Sequence, residues 1–67
     1  MIHIATLCGS CSCGCPELSV DPTAAASRRI VLTDDFGHEI RMSADQLRDL
    51  IDQARRGALD VALTATA

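Results

Sequence analysis

Residues 29–43 read RIVLTDDFGHEIRMS, and this stretch decides the predicted fold. Residues 29–33 are mostly apolar and β-branched, a composition typical of a buried strand. The DDFG sequence that follows is rich in turn-forming residues. Residues 39–42 then alternate polar and apolar side chains, as a returning strand does. We therefore predict a β-hairpin.

An amphipathic helix is predicted directly after the hairpin. Ser43 is a favourable N-cap residue, and Gln46 three positions later completes a capping box. Apolar residues recur at helical spacing and predict one buried stripe, made of Leu47, Leu50, Ile51, Ala54 and Ala58. Gly57 is a natural stop for the helix. The residues beyond it are compatible with a longer helix, a further strand or a frayed end.

The whole chain is predicted to be one small α+β domain. Its 67 residues provide only a thin core. Residues 1–7 alternate loosely and predict a short N-terminal strand, whereas residues 16–27, with their prolines and alanines, predict a flexible connection. The expected order is an N-terminal strand, a Cys-rich loop, the β-hairpin and one amphipathic helix. The parts are a Cys-rich segment (1–20), a linker (21–27), a hairpin–helix module (28–60) and a tail (61–67).

Composition excludes several classes of function. The chain has one Phe, no Trp or Tyr, and a net charge of −3, so it lacks both the aromatic faces and the basic stripe of nucleic-acid-binding proteins. No apolar run approaches the roughly 20 residues of a membrane span. There is also no Gly-rich phosphate loop and no Ser/His/Asp arrangement, so we predict a protein that is not an enzyme and binds neither nucleic acid nor membrane.

The four cysteines lie close together, in the sequence LCGSCSCGCP of residues 7–16. Every spacer in this C-x2-C-x-C-x-C run is Gly or Ser, which lets the backbone curl tightly. Thiolates select soft or borderline ions. We therefore predict a site for Cu(I) or Zn(II) formed by Cys8, Cys11, Cys13 and Cys15, ahead of non-haem iron, cobalt or an iron–sulfur cluster.

The expected compartment favours metal over disulfides. Residues 1–7 contain no Lys or Arg, unlike the start of a secretory signal, so we expect a cytoplasmic protein in which disulfides seldom persist. Cys8 and Cys11 could form a disulfide in a turn, but a C-x-C bridge is strained. Redox chemistry at the cysteines remains an alternative, and so does a precursor whose cysteine run is modified.

Three short resemblances involve the cysteine run. Its C-x-C repetition resembles metallothionein segments, which implies sequestration of Cu(I) or Zn(II). The CGSCSC sequence of residues 8–13 is similar to the claw of nitrile hydratases, which implies metal ligation by Cys8, Cys11, Cys13 and the amides of Ser12 and Cys13. The LCGSC sequence of residues 7–11 resembles a methanobactin precursor core, a copper-chelating modified peptide.

Residues 28–60 resemble a family of small actinobacterial proteins encoded beside helix-turn-helix regulators. The matching sequences are VLTDD (31–35), SAD (43–45) and ARRGALD (54–60), and CPEL (15–18) is similar to that family's short Cys-containing strand. The resemblance implies a regulatory partner protein. Because a hairpin and one helix rarely cover their apolar area, a protein partner or a homo-oligomer is predicted through this module. A regulatory protein whose cysteines sense metal or oxidant is therefore the second functional hypothesis.

The histidines and the turn residues receive structural interpretations. His3 is interpreted as a surface strand residue rather than a fifth ligand, and His38 as a solvated turn residue. Asp34 and Asp35 are expected to form Asx-type hydrogen bonds at the turn. Phe36 is expected to cap the small core.

Overall fold

The strands form one antiparallel sheet, in which they lie side by side in the same order as they occur along the chain. The computed structural model describes residues 1–9 and 14–66. Within them the elements are β1 (Ile2–Thr6), β2 (Glu17–Val20), a 3-10 turn (Ala26–Arg28), β3 (Ile30–Thr33), β4 (Glu39–Met42), α1 (Ala44–Arg55) and α2 (Asp60–Ala65). The predicted α+β class is confirmed.

The predicted β3–β4 hairpin is present in the register that its sequence favours. Ile30 pairs with Met42 and Thr33 with Glu39. The Asp34 N–H donates to the His38 carbonyl at 3.2 Å and closes the turn. Gly37 has φ +84°, a left-handed conformation that glycine adopts without steric cost. Local sequence therefore suffices to predict this half of the sheet.

Strand β2 is the main difference from the sequence-based prediction. The segment 16–27 was expected to be a flexible connection, but its residues 17–20 form an inner strand between β1 and β3. The ELSV sequence does alternate polar and apolar residues, and Pro16 precedes the strand, where its missing N–H costs no ladder bond. Four residues are too few for the alternation to outweigh the flanking prolines and alanines, so pairing on both sides decides the strand.

The two faces of the sheet differ in chemistry. From the pairing register and the two-residue period of strands, one face carries apolar side chains from three strands, namely Leu18, Val20, Ile30, Leu32, Ile40 and Met42. The opposite face is polar except for Val31, which is fully buried. A bulge between His3 and Ala5 breaks the regular alternation in β1. The sheet thus has one apolar and one largely polar face.

An ion-pair network lies on the polar face beside the fully buried Val31. Arg41 stands directly opposite Val31 in the register. Its guanidinium donates to Asp21 at 3.1 Å, to the Arg28 carbonyl at 3.2 Å and to Glu39 at 2.8 Å. These bonds join β4 to the connection between β2 and β3, so this connection and the Arg41 side chain together cover the centre of the face.

Helix α1 begins and ends as the sequence predicts. The Ser43 side chain accepts from the Gln46 N–H at 3.1 Å, and the Gln46 side chain accepts from the Ser43 N–H at 2.9 Å, which confirms the capping box. The helix ends at Arg55, and Gly57 follows with φ +79°. The tail then forms the short helix α2, which the sequence left undecided.

The predicted buried stripe of α1 is wrong. No residue of α1 is buried, and Leu50 and Ile51 are 44% and 40% exposed. Ala58 lies beyond the end of the helix. Helical periodicity shows which side is apolar but not whether another surface covers it, and a chain of this size buries little area. Neither described helix has the length and apolar character needed to cross a membrane.

Candidate functional site: the cysteine loop

Two chain connections meet at one end of the sheet. In an antiparallel meander, the β1–β2 and β3–β4 connections lie at the same end, and the β2–β3 connection lies at the other. Residues 7–16 form the first connection, here called the cysteine loop, and residues 34–38 form the second, here called the β3–β4 turn. Hairpin topology therefore places Cys8 and Cys15 at the same end of the sheet as the DDFG turn.

The hairpin brings the first and last cysteines together. The Leu7 N–H donates to the Pro16 carbonyl at 2.7 Å and closes the base of the loop. The next residues inward are Cys8 and Cys15, whose Cα atoms are 5.1 Å apart and whose sulfur atoms lie at bonding distance, as a disulfide. Cys8 is exposed and Cys15 is half-buried. Strand pairing therefore brings together two cysteines that are seven residues apart in sequence.

The other two predicted ligands, Cys11 and Cys13, lie outside the described residues. Within residues 1–9 and 14–66, no three His, Cys, Asp or Glu side chains are grouped closely enough to hold a metal ion. The described part of the site is thus a pair of sulfur atoms. Thiolate sulfur suits Cu(I) and Zn(II), and a closed tetrahedral site needs four ligands, two more than this pair.

Gly14 connects the cysteine loop to the β3–β4 turn. Its N–H donates to Oδ2 of Asp35 at 3.0 Å, across 21 positions of sequence. A Cβ atom at Gly14 would lie 3.1 Å from Cε2 of Phe36, so the Phe36 ring is packed against the glycine. Gly14 has φ +68°, and glycine is thus favoured here both by its backbone conformation and by this close approach.

The two adjacent aspartates have different partners. Oδ1 of Asp34 accepts from the N–H groups of Phe36 at 2.9 Å and His38 at 3.0 Å, the Asx-type bonding expected at this turn. Hydrogen bonding, first from the His38 N–H, lowers the pKa of Asp34, because these donors favour the carboxylate form. Asp35 instead bonds to Gly14 in the cysteine loop. The expectation of turn bonding therefore holds for Asp34, whereas the described bond of Asp35 is long-range.

The two histidines contact neighbouring polar groups. His3 in β1 is exposed, with Nε2 2.9 Å from Oγ1 of Thr6 and 3.5 Å from a carboxylate oxygen of Glu17. His38 is an exposed turn residue, with Nδ1 3.2 Å from Oδ2 of Asp34. Both positions agree with the interpretations of His3 as a surface strand residue and His38 as a solvated turn residue.

Sequence reasoning missed Asp35 and Phe36 as neighbours of the cysteines. Phe36 was expected to cap the core, but it is 73% exposed and packs against Gly14. The available signal was the pair of adjacent aspartates: one side chain accepts the hydrogen bonds of the turn, which leaves the second free to bond to another part of the chain.

The chain matches no known protein family, no curated protein and no solved structure.

Proposed function

We propose that this chain is a small cytoplasmic metal-binding protein that holds a soft ion, Cu(I) or Zn(II), for buffering, storage or delivery. The ligands are the thiolates of Cys8, Cys11, Cys13 and Cys15. One observation carries the proposal: hairpin pairing places Cys8 and Cys15 opposite each other at the base of a ten-residue loop, with Cα atoms 5.1 Å apart.

The distances are compatible with a shared ion. Sulfur atoms around tetrahedral zinc lie about 3.8 Å apart, as follows from Zn–S bonds of about 2.3 Å. Cα atoms at 5.1 Å permit this separation through side-chain rotation, just as they permit a disulfide. Cys11 is three positions from Cys8 and Cys13 two positions from Cys15, so covalent reach alone keeps each within about 10 Å of its neighbour. Chain length therefore permits all four thiolates to approach one ion.

The paired strands hold the cysteine loop in place but supply no ligands in the proposed site. The Leu7–Pro16 hydrogen bond and the paired strands fix both ends of the loop. A loop whose two ends are already held has a lower entropic cost of metal binding than a free chain with the same cysteines. A loop held at both ends supports a bound ion better than the same cysteines in an unstructured chain.

Metal analysis of freshly prepared protein tests the proposal. The protein is purified without oxygen from cells supplied with zinc or copper. Native mass spectrometry measures its mass, and elemental analysis measures its metal content. We expect a stoichiometric metal adduct. The double variants C8S/C15S and C11S/C13S should both lose it, whereas S27A, a substitution in the 3-10 turn, should keep it. Apo mass alone, with four freely alkylated thiols in the parent chain, contradicts the proposal.

A second candidate is a regulatory protein whose cysteines sense oxidant. It is favoured by the sulfur atoms of Cys8 and Cys15, which already lie at bonding distance. The hairpin–helix module would bind the partner, for which the exposed apolar side chains of Ile40, Leu50 and Ile51 provide contact area. Replacing all four cysteines with serine discriminates the two candidates: partner binding that survives but no longer responds to peroxide supports the sensor.

A further inference from the structure

The β3–β4 turn contacts the cysteine loop in two ways. Asp35 accepts a hydrogen bond from the Gly14 N–H at 3.0 Å, and the Phe36 ring occupies the space beside the Gly14 Cα. The bond and the ring contact bring consecutive residues of the turn onto the residue that precedes Cys15. We call this pair of contacts the turn clamp.

The turn is itself held rigidly enough to act as a support. Asp34 accepts from two N–H groups of the turn and donates its own N–H to the His38 carbonyl. With these groups satisfied inside the turn, the backbone that carries Asp35 and Phe36 has a defined course. Strand β3 pairs with both β2 and β4, so the turn and the loop share one frame.

We infer that the turn clamp positions Cys15 opposite Cys8, so that Asp35 and Phe36 are positioning residues of the thiol site. Holding Gly14 at φ +68° restricts the direction in which the chain enters Cys15. Restricting the reduced loop to conformations in which the thiols are close raises their effective concentration toward each other. The effect on metal affinity rests on the proposed function, whereas the effect on the Cys8–Cys15 pair does not.

The effective concentration of the two thiols is measured by exchange with glutathione. The thiolate of one cysteine attacks glutathione disulfide and displaces one glutathione thiolate; the other cysteine then attacks the mixed disulfide and displaces the second. The protein dithiol loses two electrons and two protons, and glutathione disulfide becomes two glutathione molecules. The equilibrium constant therefore reports how readily the loop brings both sulfur atoms together.

The test uses the full chain as a C11S/C13S variant, so that Cys8 and Cys15 are its cysteines. Adding Asp35→Ala should lower the equilibrium constant about tenfold, the value of one hydrogen bond to a charged group. Asp35→Asn keeps an acceptor oxygen and should lose less. The matched control is Asp45→Ala, which removes another exposed carboxylate, one that is bonded to Arg48 in α1. Circular dichroism checks that each variant keeps its fold.

Phe36 and Gly14 provide an independent check. Phe36→Ala should lower the same equilibrium constant. Gly14→Ala should lower it as well, because the new Cβ would meet the Phe36 ring and an L-residue strains φ +68°. Combined with Asp35→Ala, Gly14→Ala should produce less than the product of the two separate effects, since both changes loosen the same turn clamp at Gly14. Fully multiplicative effects would contradict a shared clamp.

Zinc affinity of the four-cysteine chain separates the two proposals. By competition with a chelator, Asp35→Ala should weaken Zn(II) binding about 10–100-fold without changing its stoichiometry, as loss of groups that orient ligands does. If the parent chain binds no metal but Asp35→Ala still shifts the glutathione equilibrium, the proposed function fails and the clamp stands. If Asp35→Ala matches Asp45→Ala in the glutathione equilibrium, the clamp is wrong whatever the metal result.

Discussion

The two connections at the cysteine end of the sheet differ in how they are stabilised. The β3–β4 turn spans five residues and bonds largely to itself, through Asp34 and the left-handed Gly37. The cysteine loop spans ten residues, and its described contacts include a backbone bond at its base, the Cys8–Cys15 pair, and the hydrogen bond and ring contact between Gly14 and the turn. A short turn is encoded locally, whereas a longer loop depends on bonds to other elements.

Strand β3 leads into the β3–β4 turn and pairs with β2, the strand that follows the cysteine loop, so weakening β3 should give the largest effect. Val31→Ala removes two methyl groups from a fully buried site and should lower the free energy of unfolding by about 2 kcal/mol. Urea unfolding measures the change. Ile40→Ala is the control: this side chain is 59% exposed and should cost well under half as much. Equal losses at the two positions would contradict the burial of Val31.

The glycines of the two connections sharpen the comparison. Gly37→Ala should cost about 1–2 kcal/mol, because a Cβ there meets nothing within 4 Å but φ is +84°. Gly14→Ala bears a similar backbone strain and in addition places its Cβ 3.1 Å from Phe36. Thermal unfolding of the reduced protein should therefore show the larger loss for Gly14→Ala. Equal losses would show that the Phe36 ring moves aside freely, and a larger loss for Gly37→Ala would contradict the prediction.

The adjacent aspartates allow each connection to be loosened separately. Asp34→Ala should speed hydrogen exchange at the Phe36 and His38 amides, which lose their acceptor. Asp35→Ala should speed exchange at the Gly14 amide and leave those two amides nearly unchanged. Residue-resolved exchange by NMR makes the measurement. If both variants accelerate the same amides, the turn and the loop open as one unit.

Acid should act on both ends of the sheet, with a smaller effect. Hydrogen bonds from the Thr23 hydroxyl and then Arg41 lower the pKa of Asp21 from 3.8 to about 2. Because the folded value lies below the unfolded one, the carboxylate stabilises the fold above pH 3.8, and this contribution is lost as the pH falls toward 2. Acid unfolding of Asp21→Asn should show a weaker pH dependence than the parent chain. An identical dependence would exclude Asp21 as a source.

Asp34 should contribute in the same direction at the opposite end. Its pKa is lowered first by the His38 N–H bond, so its stabilisation also decreases as the pH falls below the ordinary range of aspartate. The chemical shifts of the Phe36 and His38 amides should follow this titration. Amides that titrate at the ordinary aspartate pKa would contradict the hydrogen bonding of the turn.

The parts predicted correctly are those whose determinants lie close together in sequence. The β3–β4 hairpin, the capping box of Ser43 and Gln46, and the helix end before Gly57 each depend on residues within a few positions of one another. The strand β2 (ELSV) was not predicted, because its stability comes from pairing with both β1 and β3. The exposure of the apolar side of α1 was not predicted either, because helical periodicity carries no information about whether another surface covers that side.

For the candidate site, the sequence identified four clustered sulfur atoms and an aspartate pair at a turn. It could not identify Cys8 and Cys15 as neighbours, nor Asp35 as the acceptor for Gly14, since these contacts depend on the order and register of the strands. The metal site remains a prediction that rests on the chemistry of the cysteines and the convergence of two of them.

By itself, then, the amino-acid sequence determined the local elements and the chemistry of the cysteine run, because turn conformation, helix capping and thiolate softness are properties of residues and their near neighbours. The tertiary structure alone decided that β2 lies between β1 and β3, that Cys8 faces Cys15 and that the β3–β4 turn holds Gly14. Such long-range contacts form only when all strand pairings are satisfied together, and no single segment encodes them.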